Sequence, residues 1–350
     1  MVKAACATRD PQEASWGGLF MREVVGNKQA RALLERAITD GSVSHAYLLV
    51  GPDQIGKTTL ALEFARLLQC TGRAADDTEA CGVCAACRKT AHGTHPDVSV
   101  LEPPAGKQWL PVEQVRELLR TAYLAPYEGR WRIFVLPNVE RLRAESVNAL
   151  LKTLEEPPPG VLLLLTSTEP EQLLPTVTSR CQVVSLHPLA PEEIARALVE
   201  RWGASPTEAE ALAGLAGGRL GWAVEALRNP ELRERRDATL RQVVELAGAT
   251  RDARMRLAGQ LASDTEAARA AVEVWALWWR DALLAAHGAR GLTSTGPARE
   301  AAERVGRAVE PEQAETFMRR LLEAQQQLEQ NANPRLALEV LALAMPGGAA

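Results

Sequence analysis

The chain has 350 residues, with 40 Lys and Arg against 44 Asp and Glu, a formal charge of -4, and six cysteines. That length exceeds one ordinary core and predicts two or three domains, while the charge excludes a globally basic, stand-alone nucleic-acid binder. Arg9, Asp10 and Glu13 fall where a signal peptide needs an unbroken apolar stretch, and the longest apolar runs, Val274 to Trp279 and Val340 to Met345, fall far short of the roughly 20 residues of a membrane span, so a cytoplasmic chain is expected.

In chain order, Ala46 to Val50 reads as a short apolar strand and Thr58 to Leu68 as a helix with Leu60, Phe64 and Leu67 as its apolar positions. Val112 to Leu124 has helical spacing through Val112, Val115 and Leu119, and Arg132 to Leu136 is a second strand. The next helix carries Val147, Leu150, Leu151 and Leu154 on one face and stops at Pro157-Pro158-Pro159-Gly160. Val161 to Leu165 follows as a buried strand, Thr166 to Pro175 as loop and short helix, and Gln182 to Leu186 as a last strand. Alternating strands and helices predict an α/β unit with a parallel sheet.

After Pro188 the strand signal ends and the composition turns rich in Ala, Leu, Glu and Arg, which predicts an all-α remainder. Gly214, Gly217, Gly218 and Gly221 punctuate a small helical unit, and Asn229-Pro230 marks a second boundary. Trp275, Trp278 and Trp279 lie at i, i+3 and i+4, a spacing that predicts packing in a core or interface ahead of stacking on bases.

Gly51-x4-Gly56-Lys57-Thr58, followed by Thr59, stands between a strand and a helix, the context in which a phosphate-binding loop has meaning. The glycines let backbone N–H groups face phosphate oxygens, Lys57 reaches the terminal phosphates, and Thr58 can ligate magnesium. Hydrolysis also needs an acid at the end of a neighbouring strand. Arg132 to Leu136 is such a strand, yet it runs into Pro137-Asn138, with Glu140 two positions on. The loop is thus expected to hold ATP or ADP without hydrolysing it; a site rebuilt on Asn138 or Glu140 is the alternative.

Cys70-x10-Cys81-x2-Cys84-x2-Cys87 offers four thiols whose short spacings aim neighbouring sulfurs at one tetrahedral metal, so structural zinc is expected, ahead of free thiols or an iron–sulfur cluster. Cys6 and Cys181 stand apart, and Cys181 is expected to be a small buried apolar residue. Thr178-Ser179-Arg180-Cys181 precedes the last strand. Its arginine either pairs with a surface acid or serves as an arginine finger for a neighbouring nucleotide. His45 and His95 lack metal-ligand companions and read as structural.

Val25-Gly26-Asn27, His45-Ala46-Tyr47-Leu48, the phosphate loop, the four cysteines, His95-Pro96-Asp97, Ala149 to Pro158 and Ser179-Arg180-Cys181 together resemble the AAA+ subunits of bacterial clamp loaders. The resemblance spans about residues 20 to 190, with weaker echoes at Gly217-Gly218 and Asn333 to Glu339. It implies a lead at residues 1–19, an AAA+ α/β (P-loop NTPase) domain at 20–188 with a zinc-binding insertion at 70–87, a helical lid at 189–228, and an all-α collar for oligomerisation at 229–350. Motor subunits carry an Asp-Glu pair where Pro137-Asn138 stand and a lid arginine where Gly221 stands, so the departures resemble the delta-prime, stator-type branch. That branch implies Arg180 as the finger, and as partners gamma- or tau-like motor subunits, a delta-like subunit, the sliding clamp, and primer-template DNA through the assembly. A gamma- or tau-like motor ATPase with a divergent site is the alternative.

Overall fold

The computed structural model describes residues 24–74, 77–101, 110–262, 264–289, 297–330 and 332–347; the expected lead at residues 1–19, with Cys6, lies outside them. The chain divides into two compact units, one ending at Pro188 and the other beginning at Leu189.

The first unit opens with α1 (Lys28–Thr39), β1 (Ala46–Val50), α2 (Lys57–Gln69), α3 (Ala85–Ala91), β2 (Val98–Val100) and α4 (Val112–Ala122). It continues with β3 (Arg132–Leu136), α5 (Ala144–Glu155), β4 (Val161–Ser167), α6 (Pro175–Thr178) and β5 (Gln182–Ser185). The strands form one sheet in the order β2-β3-β4-β1-β5, and every pairing is parallel. Parallel connections place helices on both faces, so the inner strands have no wet side and read as continuous apolar runs; all five residues of β1 and all seven of β4 are buried. Alternate side chains serve two cores, Tyr47 and Leu49 on one face and Ala46, Leu48 and Val50 on the other.

Several boundaries differ from the expectation. Thr166 and Ser167 continue β4, because Ser167 lies opposite Val50 of β1 and both polar residues are buried. The last strand ends at Ser185, and the helix after Val112 ends at Ala122. The strand β2 and the helix α3 give no periodic signal; β2 is three residues long and exists by pairing Val98 with Ile133.

The chain entering β2 is fixed by Asp97, which is 1% exposed. Its carboxylate accepts the backbone N–H groups of Tyr127 (2.6 Å), Glu128 (2.9 Å) and Gly129 (2.8 Å). His95 is buried beside it and its Nδ1 accepts the Asp97 N–H at 3.1 Å, which leaves the proton on Nε2 of a neutral ring. Burial lowers the His95 pKa further, against the pull of Glu128. This histidine is structural, as its isolation in the sequence predicts.

The second unit consists, among the described residues, of helices: α7 (Pro191–Trp202), α8 (Pro206–Ala216), α9 (Leu220–Arg228), α10 (Pro230–Gly248), α11 (Arg251–Leu261), α12 (Thr265–Ala286), α13 (Pro297–Ala308), α14 (Pro311–Glu329) and α15 (Pro334–Ala344). Their starts are written locally. Ser205, Thr250, Asp264 and Asn333 cap first-turn N–H groups, and proline opens α7, α8, α10, α14 and α15. Gly217 and Gly218 take positive φ between α8 and α9, whereas Gly214 and Gly221 lie within those helices.

The core of this unit is built on α12. Trp275 and Trp279 are fully buried and Trp278 nearly so, with Trp279 edge-on to Phe317 at 4.8 Å between ring centroids. The indole of Trp278 donates to Ala298 O at 3.1 Å. The aromatic triplet is therefore packing, as its spacing predicts. Arg254, 3% exposed, donates to the carbonyls of Leu246 (2.9 Å) and Ala247 (3.0 Å) at the end of α10, and to Met345 and Gly347 after α15.

Candidate functional site

The carboxyl ends of β1, β3 and β4 lie side by side, the edge of a parallel sheet where loops build ligand sites. From β1 the chain enters Gly51, whose N–H bonds Ser167 O at 3.2 Å. With φ at 151° and a Cβ that would meet Leu186 O at 2.6 Å, Gly51 is the residue this crossing admits. Gly56 has φ at 105° and caps α2 with no side chain of its own, leaving the first-turn N–H groups of that helix for another acceptor. The loop is thus a cradle of backbone donors at a helix start, which fits phosphate.

Lys57 is 5% exposed. Its ammonium donates to Gly51 O (2.7 Å) and Pro52 O (2.8 Å), with Asp53 at 4.0 Å. Burial lowers its pKa, while Asp53 and Glu140 hold it up. Thr58 and Thr59 follow in the first turn, partly buried. These residues suit a nucleotide phosphate, and Thr58 would hold the magnesium whose charge offsets that of the phosphates.

At the end of β3 stand Pro137 and Asn138. Asn138 has a left-handed backbone, φ 52°, and its N–H bonds Thr166 Oγ1 at 3.1 Å. Glu140, on the 3-10 turn Val139–Arg141 that follows, accepts from Thr168 Oγ1 at 2.7 Å and from Thr168 N at 3.3 Å, just past β4. Residues flanking the phosphate loop are therefore tied to one another, with a proline and an amide at the end of β3, where hydrolysis needs an acid, and a hydrogen-bonded glutamate two positions on. The Glu140–Thr168 link escaped the sequence reading because it joins two strand ends 28 positions apart.

The four cysteines converge. Their sulfurs all lie within 4.8 Å of one another, and Cys70 and Cys84 are 4.0 Å apart. A zinc–sulfur bond of about 2.3 Å sets sulfurs about 3.8 Å apart in a tetrahedron, so the donor set fits one metal ion and leaves no open coordination position. Backbone N–H groups of Cys81, Cys84 and Cys87 point at the preceding sulfurs at 3.3 to 3.4 Å. Burial opposes ionisation of Cys84, but the N–H groups of Cys87 and Thr71 outweigh it and bring its pKa to about 5. Gly72 lies so close that a Cβ there would meet Cys81 Sγ at 2.9 Å. Cys181, by contrast, is pushed up to about 12 by burial and packs against a hydrophobic core.

Arg180 follows α6 and is separate from the phosphate loop in these contacts. Its Nη2 meets Glu155 Oε1 at 2.9 Å, its Nη1 donates to Thr176 O at 2.9 Å, and its side chain remains 35% exposed. Gly221, in the position where the resemblance places a lid arginine in motor subunits, lies in the first turn of α9; the neighbouring Arg219 is buried and paired with Glu273.

Among the described residues no helix is long and apolar enough to cross a membrane. A family model described as "DNA polymerase III, delta subunit" matches residues 26–190. The DNA polymerase III subunit delta' of Pseudomonas aeruginosa is 42% identical over 186 residues, covering 49% of this chain and 56% of that protein. The DNA polymerase III subunit tau of Escherichia coli is 37% identical over 180 residues, covering 51% of this chain and 27% of that protein. The match thus spans about half the length of the first relative, and less of the second. A solved gamma subunit-related protein of Thermotoga maritima superposes with a TM-score of 0.42 at 15% identity, over 91% of this chain and 97% of that one. Over residues 26–190, the stretch that holds the parallel sheet and the phosphate loop, the chain is thus similar to clamp-loader subunits of DNA polymerase III, delta' and tau alike.

Proposed function

We propose that this chain is a delta-prime-like stator subunit of a DNA polymerase III clamp loader, a cytoplasmic protein that helps place the sliding clamp on primed DNA. In this reading the first unit is the AAA+ domain, residues 189–228 are a lid and 229–350 a collar that joins gamma- or tau-like motor subunits and a delta-like subunit. The observation that carries it is the end of β3. Pro137 and Asn138 stand beside an intact phosphate loop, so the chain keeps the groups that hold nucleotide and lacks the acids that activate water. Gly51, Gly56, Lys57, Thr58 and Thr59 hold ATP or ADP as a structural ligand, and zinc on Cys70, Cys81, Cys84 and Cys87 staples the insertion.

Arg180 is the arginine finger for a neighbouring motor subunit. It is the exposed cation of the Ser179-Arg180-Cys181 segment, and a charge delivered in trans stabilises a transferred phosphoryl group by ~10^3 to 10^5 in rate. In a loader reconstituted with motor subunits, Arg180→Ala should cut DNA-stimulated ATPase at least about tenfold while assembly survives; unchanged turnover would sink the assignment.

One observation favours a motor-type reading: Glu140, hydrogen-bonded to Thr168, is an acid whose charge partly offsets the lowering of the Lys57 pKa by burial. Turnover by the isolated, zinc-loaded chain that falls on both Lys57→Ala and Glu140→Gln would establish it.

A further inference from the structure

We propose that Glu155 is the positioning residue for Arg180, an inference that rests on the finger reading above. Glu155 is the last residue of α5, and the proline run that follows it ends the helix there, with Glu156 N still bonded to Lys152 O at 3.0 Å. The carboxylate is thus carried on a helix packed into the sheet through Leu150 and Leu154. It holds Nη2 of Arg180 at 2.9 Å. The other terminal nitrogen donates to Thr176 O at 2.9 Å and to Ser179 Oγ at 3.5 Å, both acceptors from α6 and its C-terminal cap.

Two nitrogens of a planar guanidinium held from two elements define its plane, which a single contact cannot do. A guanidinium has five N–H donors, so these contacts leave donors for phosphate oxygens, and 35% of the side chain stays open to receive them. The pair does little for stability, because both side chains are substantially exposed. Its effect lies in orientation: an arginine already in place loses less freedom when it meets a phosphoryl group than one that searches many rotamers. Glu155 being half exposed, its truncation opens no cavity, which makes the position testable without unfolding the chain.

The experiment is a double-mutant cycle in the reconstituted loader with motor subunits, reading kcat and KM of DNA-stimulated ATPase and the affinity for a non-hydrolysable ATP analogue. Glu155→Ala should lower kcat about 3- to 10-fold, the scale of a modest misplacement of a reacting group, with KM and analogue affinity within about twofold. Glu155→Gln, which keeps an oxygen acceptor at the same reach, should recover at least half of the lost rate. In the Arg180→Ala background, Glu155→Ala should add nothing. A rate equal to or above that of the unsubstituted loader, a loss confined to KM, or an equal loss in the Arg180→Ala background overturns the inference. Should Arg180→Ala itself leave turnover unchanged, the finger reading falls and this one with it; a loss at Arg180 without coupling removes this one alone.

Discussion

Asn27 and His187, 160 positions apart, exchange two hydrogen bonds: the Asn27 side chain donates to His187 O at 3.2 Å and accepts from His187 N at 2.7 Å. They join the start of α1 to the segment leaving the edge strand β5. Asn27 holds φ at 47°, a backbone that asparagine tolerates better than most residues. Asn27→Ala should cost about 1–3 kcal/mol in urea denaturation, from two lost bonds and a strained φ. Asn27→Gly should recover the conformational part and not the bonds. Equal stability of the alanine and glycine variants would show that the φ carries no penalty.

Metal analysis should find about one zinc per chain, and chelation should unfold the insertion while the parallel sheet persists, as read by near- and far-UV circular dichroism. Gly72→Ala is the finer test, because the added methyl presses on Cys81 Sγ. It should weaken zinc retention against a competing chelator without removing a ligand. A folded insertion with no metal would remove the zinc reading.

Asp97 gives the chain an acid-sensitive joint. Burial opposes its charge, but the three N–H donors at Tyr127, Glu128 and Gly129 outweigh it and hold its pKa below the usual value. A depressed carboxyl pKa contributes stability that is complete above about pH 4, the unfolded value, and is lost as pH falls through the folded pKa. Asp97→Asn should cost about 2–4 kcal/mol at pH 7, since an amide cannot accept three donors with the same strength. The variant should also lose less stability than the parent as pH falls below about 4. Parallel pH curves for the two proteins would exclude Asp97 as a source of the acid dependence.

Nucleotide bound to the phosphate loop should raise thermal stability, by about 2.7 kcal/mol at a hundredfold excess over Kd. Lys57→Ala should abolish that shift for both ATP and ADP, and Thr58→Ala should abolish only its magnesium-dependent part. A shift that survives Lys57→Ala places the nucleotide elsewhere.

The phosphate loop and the four thiols were legible because each is a short, local pattern whose residue types have one shared chemical use. The inner strands were legible because parallel sheets bury both faces. The strand β2 was not, since three residues after His95-Pro96-Asp97 become a strand only through β3. The polar end of β4 read as loop because Thr166 and Ser167 lack apolar character, and their burial follows from neighbours β1 and β3 rather than from their own propensity. The partner of Arg180 was hidden for a similar reason. Glu155 belongs to a recognisable helix end, but nothing in its local pattern says that α6 returns to it.

Arg254 binds carbonyls at two helix ends, one 7 or 8 positions before it and the other 91 to 93 positions after it. A guanidinium shared in this way cannot be released by one end alone without leaving a desolvated cation. The ends of α10 and α15 should therefore fray as a single event. Their amide protons would exchange with solvent at matched rates, and the last helix would behave as part of the unit's cooperative core rather than as a detachable tail.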